Sequence, residues 1–296
     1  MSFIDFCRSH GILIDSLPPM GLWKRFKTED KANGKRNGAV KWMGDHGFVQ
    51  NWATDQKVEV WHDERTTIDP AARAASQARL RAQHDRERDQ RKLAIQGARR
   101  FWANAHPLSR PHPYIEKKGL SPLGCAGLRT HDGLLVVPVW WGDALVSVQT
   151  ITAEGEKRFW PGAPVKGGAY VLDRPRAALT AFCEGVATGL AIYQSVRQAR
   201  VVVAFDCGNL VRVIERIKPT GSVVICADND TATFAKRGFN PGLDAAQEVA
   251  ETIGCGVWAP MGIEGTDAAD FMKELGTAAA KRMEREILAQ ARVVMA

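Results

Sequence analysis

From residue 177 onward, apolar runs alternate with helical stretches, and the runs end in acids. "AALTAFCEG" is followed by "VATGLAIYQSV", "RVVVAFDCG" by "NLVRVIERI", and "GSVVICADND" by "GLDAAQEVAETIG"; "CGVWAP" then leads into an acidic loop and a last helix. Near-continuous apolar strands joined by helical crossovers need cover on both faces, which predicts an α/β fold with a parallel sheet. Open parallel sheets place ligands beyond the carboxyl ends of their strands. Glu184, Asp206, Asp228 and Asp230 fall at those ends, and "GTDAADF" adds Asp267 and Asp270.

The residues upstream read differently. Residues 105–176 are mixed α+β, with a strand pair in "GLLVVPVWWGDALVSVQTITAEGEKRFWPG". Pro138 in its first strand predicts an edge or a bulge. Residues 69–104 read as one highly charged helix, with Pro70 suited to a first helical turn and a sparse apolar stripe. Residues 1–68 form a small β-rich module with turns at Gly-Asp-His-Gly and Ala-Thr-Asp-Gln. The expected order is this module, the connecting helix 69–104, the mixed segment 105–176 and the parallel sheet 177–296.

The module carries Trp23, Trp42, Trp52 and Trp61 beside the basic loop "WKRFKTEDKANGKRNG". Most of these tryptophans are expected in a sheet core, leaving one or two to stack on bases of single-stranded nucleic acid. Lys24, Arg25, Lys35, Arg36 and Trp52 are the candidates. A formal net charge of +7 suits a polyanionic partner. The six cysteines form no C-x-x-C pair and no zinc-finger spacing, which predicts a reduced, cytoplasmic protein without zinc. No apolar run is long enough for a bilayer, and the N-terminus lacks a signal-peptide core.

Two close carboxylates raise each other's pKa unless a cation compensates. Asp228 and Asp230 have period-two spacing, so in an extended chain they point the same way. Mg²⁺ takes oxygen ligands and commonly binds substrate phosphates as well. Helix capping explains one acid at a strand end; a succession of them calls for a metal. Asp206 alone is equally a turn or cap residue. The chain has no G-x-x-x-x-G-K-[ST], no G-x-G-x-x-G and no G-x-S-x-G. An Asp-x-Asp phosphatase would have its pair on the first strand, not the third.

"FCEGVATGL" followed by "ICADND" in a basic chain resembles the Toprim domain of bacterial-type primases, topoisomerases and some nucleases. "GTDAADF" is similar to the third acidic motif of primase-type Toprim domains, with Asp267 at its first acid, Ala269 at its second and Asp270 beside it. Chromosomal primases have a further acid four residues after the glutamate, where this chain has Thr188. "HPYIEKKGL" resembles the start of a primase polymerase core. The strands "LLVVPV" and "VSVQTI", with "EGVATGLAIYQ", "VVAFDCGNL" and "NPGLDAAQ", resemble the zinc-free primases of conjugative plasmids, integrative elements and phages. The N-terminal "NGAVKWMGDHGFVQNWATD" is similar to that group's leading segment.

The resemblance implies a DNA primase that joins ribonucleotides on a single-stranded DNA template with Mg²⁺ or Mn²⁺. Asp228 and Asp230 would hold the metal, with Asp267 or Asp270 supporting a further ion and Glu184 as ligand or general base. Lys157 and Lys166 would bind nucleotide or template phosphates; Arg158 beside them is equally a solvated turn residue. Asp206, Asn209 and Asn240 fall near the strand ends as candidates for nucleotide contact, although turn chemistry explains an asparagine equally well. Ribonucleoside triphosphates, template DNA, and a replicative helicase or single-strand-binding protein are the implied partners, with no membrane. The alternatives are a Toprim nuclease and a non-catalytic single-stranded-DNA-binding accessory.

Overall fold

The computed structural model describes residues 1–29, 36–54, 57–63, 70–121, 127–231, 238 and 240–295. The chain divides into two compact units, Met1–Asp89 and Gln90–Ala296.

In the first unit a capping box between Ser2 and Asp5 starts helix α1 (Phe3–Ser9). An antiparallel sheet follows, in the order β1 (Ile12–Leu13), β2 (Trp23–Thr28), β3 (Gly38–Trp42), β4 (His46–Asn51) and β5 (Glu59–His62). Strand alternation turns Val40 and Val49 onto Phe3 and Cys7. Trp42 and Trp61 pack against that core, whereas Trp23 and Trp52 remain 48% and 43% exposed.

One long helix, α2 (Pro70–Asn104), contains the division between the units. Its last turns bring Phe101 and Trp102 against Val136 and Val148. The second unit continues with β6 (His106–Pro107), α3 (Pro113–Lys117), β7 (Arg129–His131), β8 (Leu134–Trp141), β9 (Ala144–Ile151) and β10 (Lys157–Phe159). These strands form an antiparallel sheet in the order β10-β9-β8-β7-β6. Pro138 sits in a central strand, not an edge one. It is tolerated because β7 pairs only with Leu134–Val136, and a register shift follows between Val139 and Trp140.

The last sheet is built from β11 (Tyr170–Leu172), β12 (Leu179–Cys183), α4 (Val186–Ser195), β13 (Ala199–Val203), α5 (Cys207–Ile217) and β14 (Gly221–Cys226). It continues through α6 (Pro241–Ile253), β15 (Gly256–Trp258), α7 (Ala268–Leu275), α8 (Ala279–Gln290) and β16 (Arg292–Val294). The order is β11-β13-β12-β14-β15, with β16 also on β14. Strands β12 to β15 are parallel, while β11 and β16 are antiparallel additions.

Alternation divides the strand side chains between two cores. Ala181, Val201 and Val224 face α4, α7 and α8, whereas Phe182, Val202 and Ile225 face α5 and α6. Each fully buried valine, isoleucine or phenylalanine among them contributes about 1.5–3 kcal/mol. Helix α4 lies so close to β13 that a Cβ on Gly189 would come within 2.5 Å of Val203 Cγ2. The helix after β12 lies on the opposite face from those after both neighbours, β13 and β14. The carboxyl end of β12 is therefore the switch point where a ligand crevice opens.

Candidate active site

Glu184 directly follows β12. Its Oε1 is buried with no hydrogen-bond partner. A Cβ on Gly242, in the first turn of α6, would lie 3.0 Å from that oxygen and 3.5 Å from the Asp228 carbonyl oxygen. Gly242 thus keeps space open beside two acidic residues. Burial, then the charges of Asp228 and Asp206, push the Glu184 carboxyl up to about 7, with the Cys207 N–H pulling the other way.

Asp228 lies two residues beyond the end of β14, on the α4 side that alternation from Cys226 gives it. Asn229 anchors this segment. Its N–H donates to the Thr266 carbonyl at 2.7 Å, and its side-chain amide donates to the Pro260 carbonyl at 3.0 Å. The Thr188 hydroxyl donates to Asp228 Oδ1 at 2.9 Å. Burial raises the Asp228 carboxyl to about 6; Thr188 opposes this, Asp267 adds to it, and Lys157 and Lys118 counter it. Asp230 is half-buried beside this segment.

Other sequence candidates have different work. Asp206 caps α5 by accepting the Asn209 N–H at 2.8 Å. Asn209 is buried, and its side chain accepts from the Gly167 N–H at 2.6 Å and donates to the carbonyls of Gly168 and Ala204. Its amide clamps the Lys166–Gly168 turn against Ala204, the turn chemistry that the sequence offered beside nucleotide contact. Asn240 is likewise buried as the cap of α6, donating to Asn229 Oδ1 at 3.0 Å. Asp267 caps α7 with Asp270 in a capping box, and both carboxylates bind Lys118.

The lysines separate as well. Phe159 meets Phe205 edge-on at 5.5 Å, and alternation along β10 puts Lys157 on that same side. Arg158 points to the other side, where its guanidinium pairs with Glu156 at 3.3 Å. Lys166 shares a cavity with Trp141, Arg212, Glu215 and Arg216.

In the first unit, the Arg25 guanidinium lies 3.3 Å from the centroid of the Trp52 ring. Trp23, Arg25, Ala39, Gln50 and Trp52 line one cavity on the sheet. Lys24 alternates to the opposite side, above Phe26. Arg36 is exposed, and Lys35 lies outside the described residues. Lys118, Thr188, Gly242 and Trp23 complete the site residues that sequence reasoning did not select. For Trp23 the signal was its place two residues from Arg25 on one strand.

The oxygen donors of Glu184 and Asp228 fit a hard divalent cation, and the orphaned Glu184 Oε1 with the open space at Gly242 leaves room for one. Among the described residues, no group of three or more His, Cys, Asp or Glu is arranged to hold a metal ion by itself. Mg²⁺ commonly uses one or two carboxylates and completes its shell with water and phosphate. The described cysteines are free thiols, and no described helix is long and apolar enough to cross a membrane.

A parallel sheet with this acidic switch point is matched by the family model for the Toprim domain over residues 180–278. The match runs from β12 through α7. The chain is 29% identical over 278 residues to DNA primase TraC from Escherichia coli, covering 86% of this chain and 25% of that protein. It spans about a quarter of the length of that relative. A second Escherichia coli DNA primase TraC is 28% identical over 189 residues, covering 61% of this chain and 13% of its own length. Among solved structures, a DNA primase domain from Pseudomonas aeruginosa matches with a TM-score of 0.42 at 14% identity, covering 68% of this chain and 79% of that one.

Proposed function

We propose that this chain carries the catalytic core of a DNA primase, joining ribonucleotides on a single-stranded DNA template in the cytoplasm during plasmid, phage or mobile-element replication. One observation carries the reading: the similarity to DNA primase TraC covers 86% of the chain, more than either compact unit holds. The site chemistry agrees with it. Primases with a Toprim domain generally use divalent metals, and here Glu184, Asp228 and Asp230 would hold Mg²⁺ or Mn²⁺, with no zinc. The ion would neutralise triphosphate charge and lower the pKa of the attacking 3′-hydroxyl.

The chain's own residues supply the rest. Glu184, poised near neutrality by burial, is suited to take the 3′-hydroxyl proton. Lys157, on the Phe205 side of its hairpin, reaches triphosphate oxygens, and Lys166 extends the basic surface. On the first unit, Trp23 and Trp52 stack on template bases, with Arg25 between them and a phosphate contact from Arg36. A replicative helicase or single-strand-binding protein would deliver the template.

The test is labelled ribonucleotide incorporation on single-stranded DNA with Mg²⁺ or Mn²⁺, comparing wild type with Asp228→Ala. Short oligoribonucleotides from wild type only are expected. Template cleavage without ribonucleotide products would replace the primase with a nuclease. DNA binding without any turnover would leave a binding accessory.

A further inference from the structure

Lys118 follows α3, and its ammonium reaches Asp267 Oδ2 at 2.6 Å and Asp270 Oδ1 at 3.1 Å. The other oxygens of that pair are also engaged. Asp267 Oδ1 accepts the Asp270 N–H at 2.8 Å, and Asp270 Oδ2 accepts the N–H groups of Thr266 and Asp267 at 3.1 and 3.3 Å. The three side chains are 27%, 15% and 28% exposed, so the contact is shielded from solvent. A divalent ion at this pair would have to displace an ammonium held by two carboxylates. The position beside Glu184 is the reverse case, with an acidic oxygen buried and unpartnered. Thr188 adds a neutral hydroxyl to Asp228, not another anionic oxygen.

We infer that Lys118 is the resident cation of the Asp267–Asp270 pair, so that this active site takes one divalent ion, at Glu184 and Asp228. The inference rests on the proposed metal role of those two residues. It makes Lys118 a positioning residue. By fixing the start of α7, it fixes Thr266, whose carbonyl accepts the Asn229 N–H and so anchors the segment carrying Asp228 and Asp230. Lys118 reaches its first partner across 149 residues of chain.

Manganese titration of the full chain without nucleotide, followed by the spin-resonance signal of free Mn²⁺, counts the ions. Wild type and Lys118→Arg are expected to bind one. Lys118→Met, shown folded by circular dichroism, is expected to bind a second, which disappears when Asp267→Asn is added. Two ions in wild type, or one ion in folded Lys118→Met, overturns the inference. No ion in wild type but one in Lys118→Met would overturn the metal role of Glu184 and Asp228 while upholding that of Lys118. No ion in either overturns both. A separate check needs no Lys118 variant: Asp267→Asn alone, shown folded, should still bind one ion. Loss of the only ion would place that ion, not Lys118, at the pair.

Discussion

Glu184 should make the metal-free protein less stable as the pH rises, and Glu184→Gln should remove its share of that loss. Its carboxyl titrates near 4.5 in an unfolded chain and at about 7 in the fold, chiefly because it is buried and secondarily because Asp228 is close. Between those values the folded state binds more protons than the unfolded one, so stability falls with rising pH across that window. Below about pH 4.5 the stability associated with the protonated carboxyl is fully present; above about pH 7 it is gone. Asp228 acts in the same direction from 3.8 to about 6. At about 1.4 kcal/mol per pH unit the Glu184 difference amounts to about 3 kcal/mol. Partial solvent screening and shared titration with Asp228 reduce this to about 2 kcal/mol. Glu184→Gln should therefore be more stable than wild type by about 2 kcal/mol near pH 8 in EDTA, which is roughly 4–8 °C in melting temperature for a unit of this size. Near pH 4.5 the two should be nearly equal. Urea unfolding followed by circular dichroism at both pH values measures the difference, and Mn²⁺ should recover stability in wild type only. A flat wild-type profile between about pH 5 and pH 8, or a Glu184→Gln protein less stable than wild type near pH 8, would refute the electrostatic argument.

Other substitutions separate structural from chemical roles. Asn209→Ala should cost about 2–3 kcal/mol of stability in urea unfolding, because it strands the buried Gly167 N–H and two carbonyls; Asp206→Ala, which removes one cap, should cost about 1 kcal/mol. Gly242→Ala should leave the melting temperature within a few degrees yet weaken Mn²⁺ binding at least ten-fold in a titration, since its methyl group fills the space beside Glu184 Oε1. Lys157→Ala should reduce ribonucleotide incorporation far more than Arg158→Ala, which loses only an exposed pair with Glu156. Trp52→Ala should weaken single-stranded DNA binding by about 1–3 kcal/mol in a fluorescence titration without altering its salt dependence, whereas Arg25→Ala should reduce the salt slope.

The parallel sheet was legible because strands buried on both faces must be continuously apolar, as Leu179–Cys183 and Gly221–Cys226 are. The acids at their ends stood out against those runs, and the convergence of Glu184 and Asp228 followed from topology alone. What sequence could not disclose depends on contacts between distant segments. Nothing local marks Lys118 as the partner of Asp267, and nothing in "CGNL" says that Asn209 holds a turn more than forty residues away. Nor does the sequence show that Asn229, through the Thr266 carbonyl, anchors the segment after β14. Asp267 and Asp270 belong to a spacing that serves equally for a metal motif and a capping box, and their hydrogen bonds follow the capping geometry. Lys157 and Arg158 are adjacent in sequence, yet strand alternation gives them opposite sides of the hairpin.

The proposed primase stands on Glu184 and Asp228 as the centre where ribonucleotides are joined. It is tested most directly by single-turnover extension of a short RNA primer annealed to a DNA template, with Mn²⁺ and a labelled ribonucleotide, in wild type and Glu184→Gln at matched template occupancy. Glu184→Gln should lose at least about a hundred-fold, in keeping with removal of a positioned general base and metal ligand. Extension within two-fold of wild type by the folded variant would contradict it.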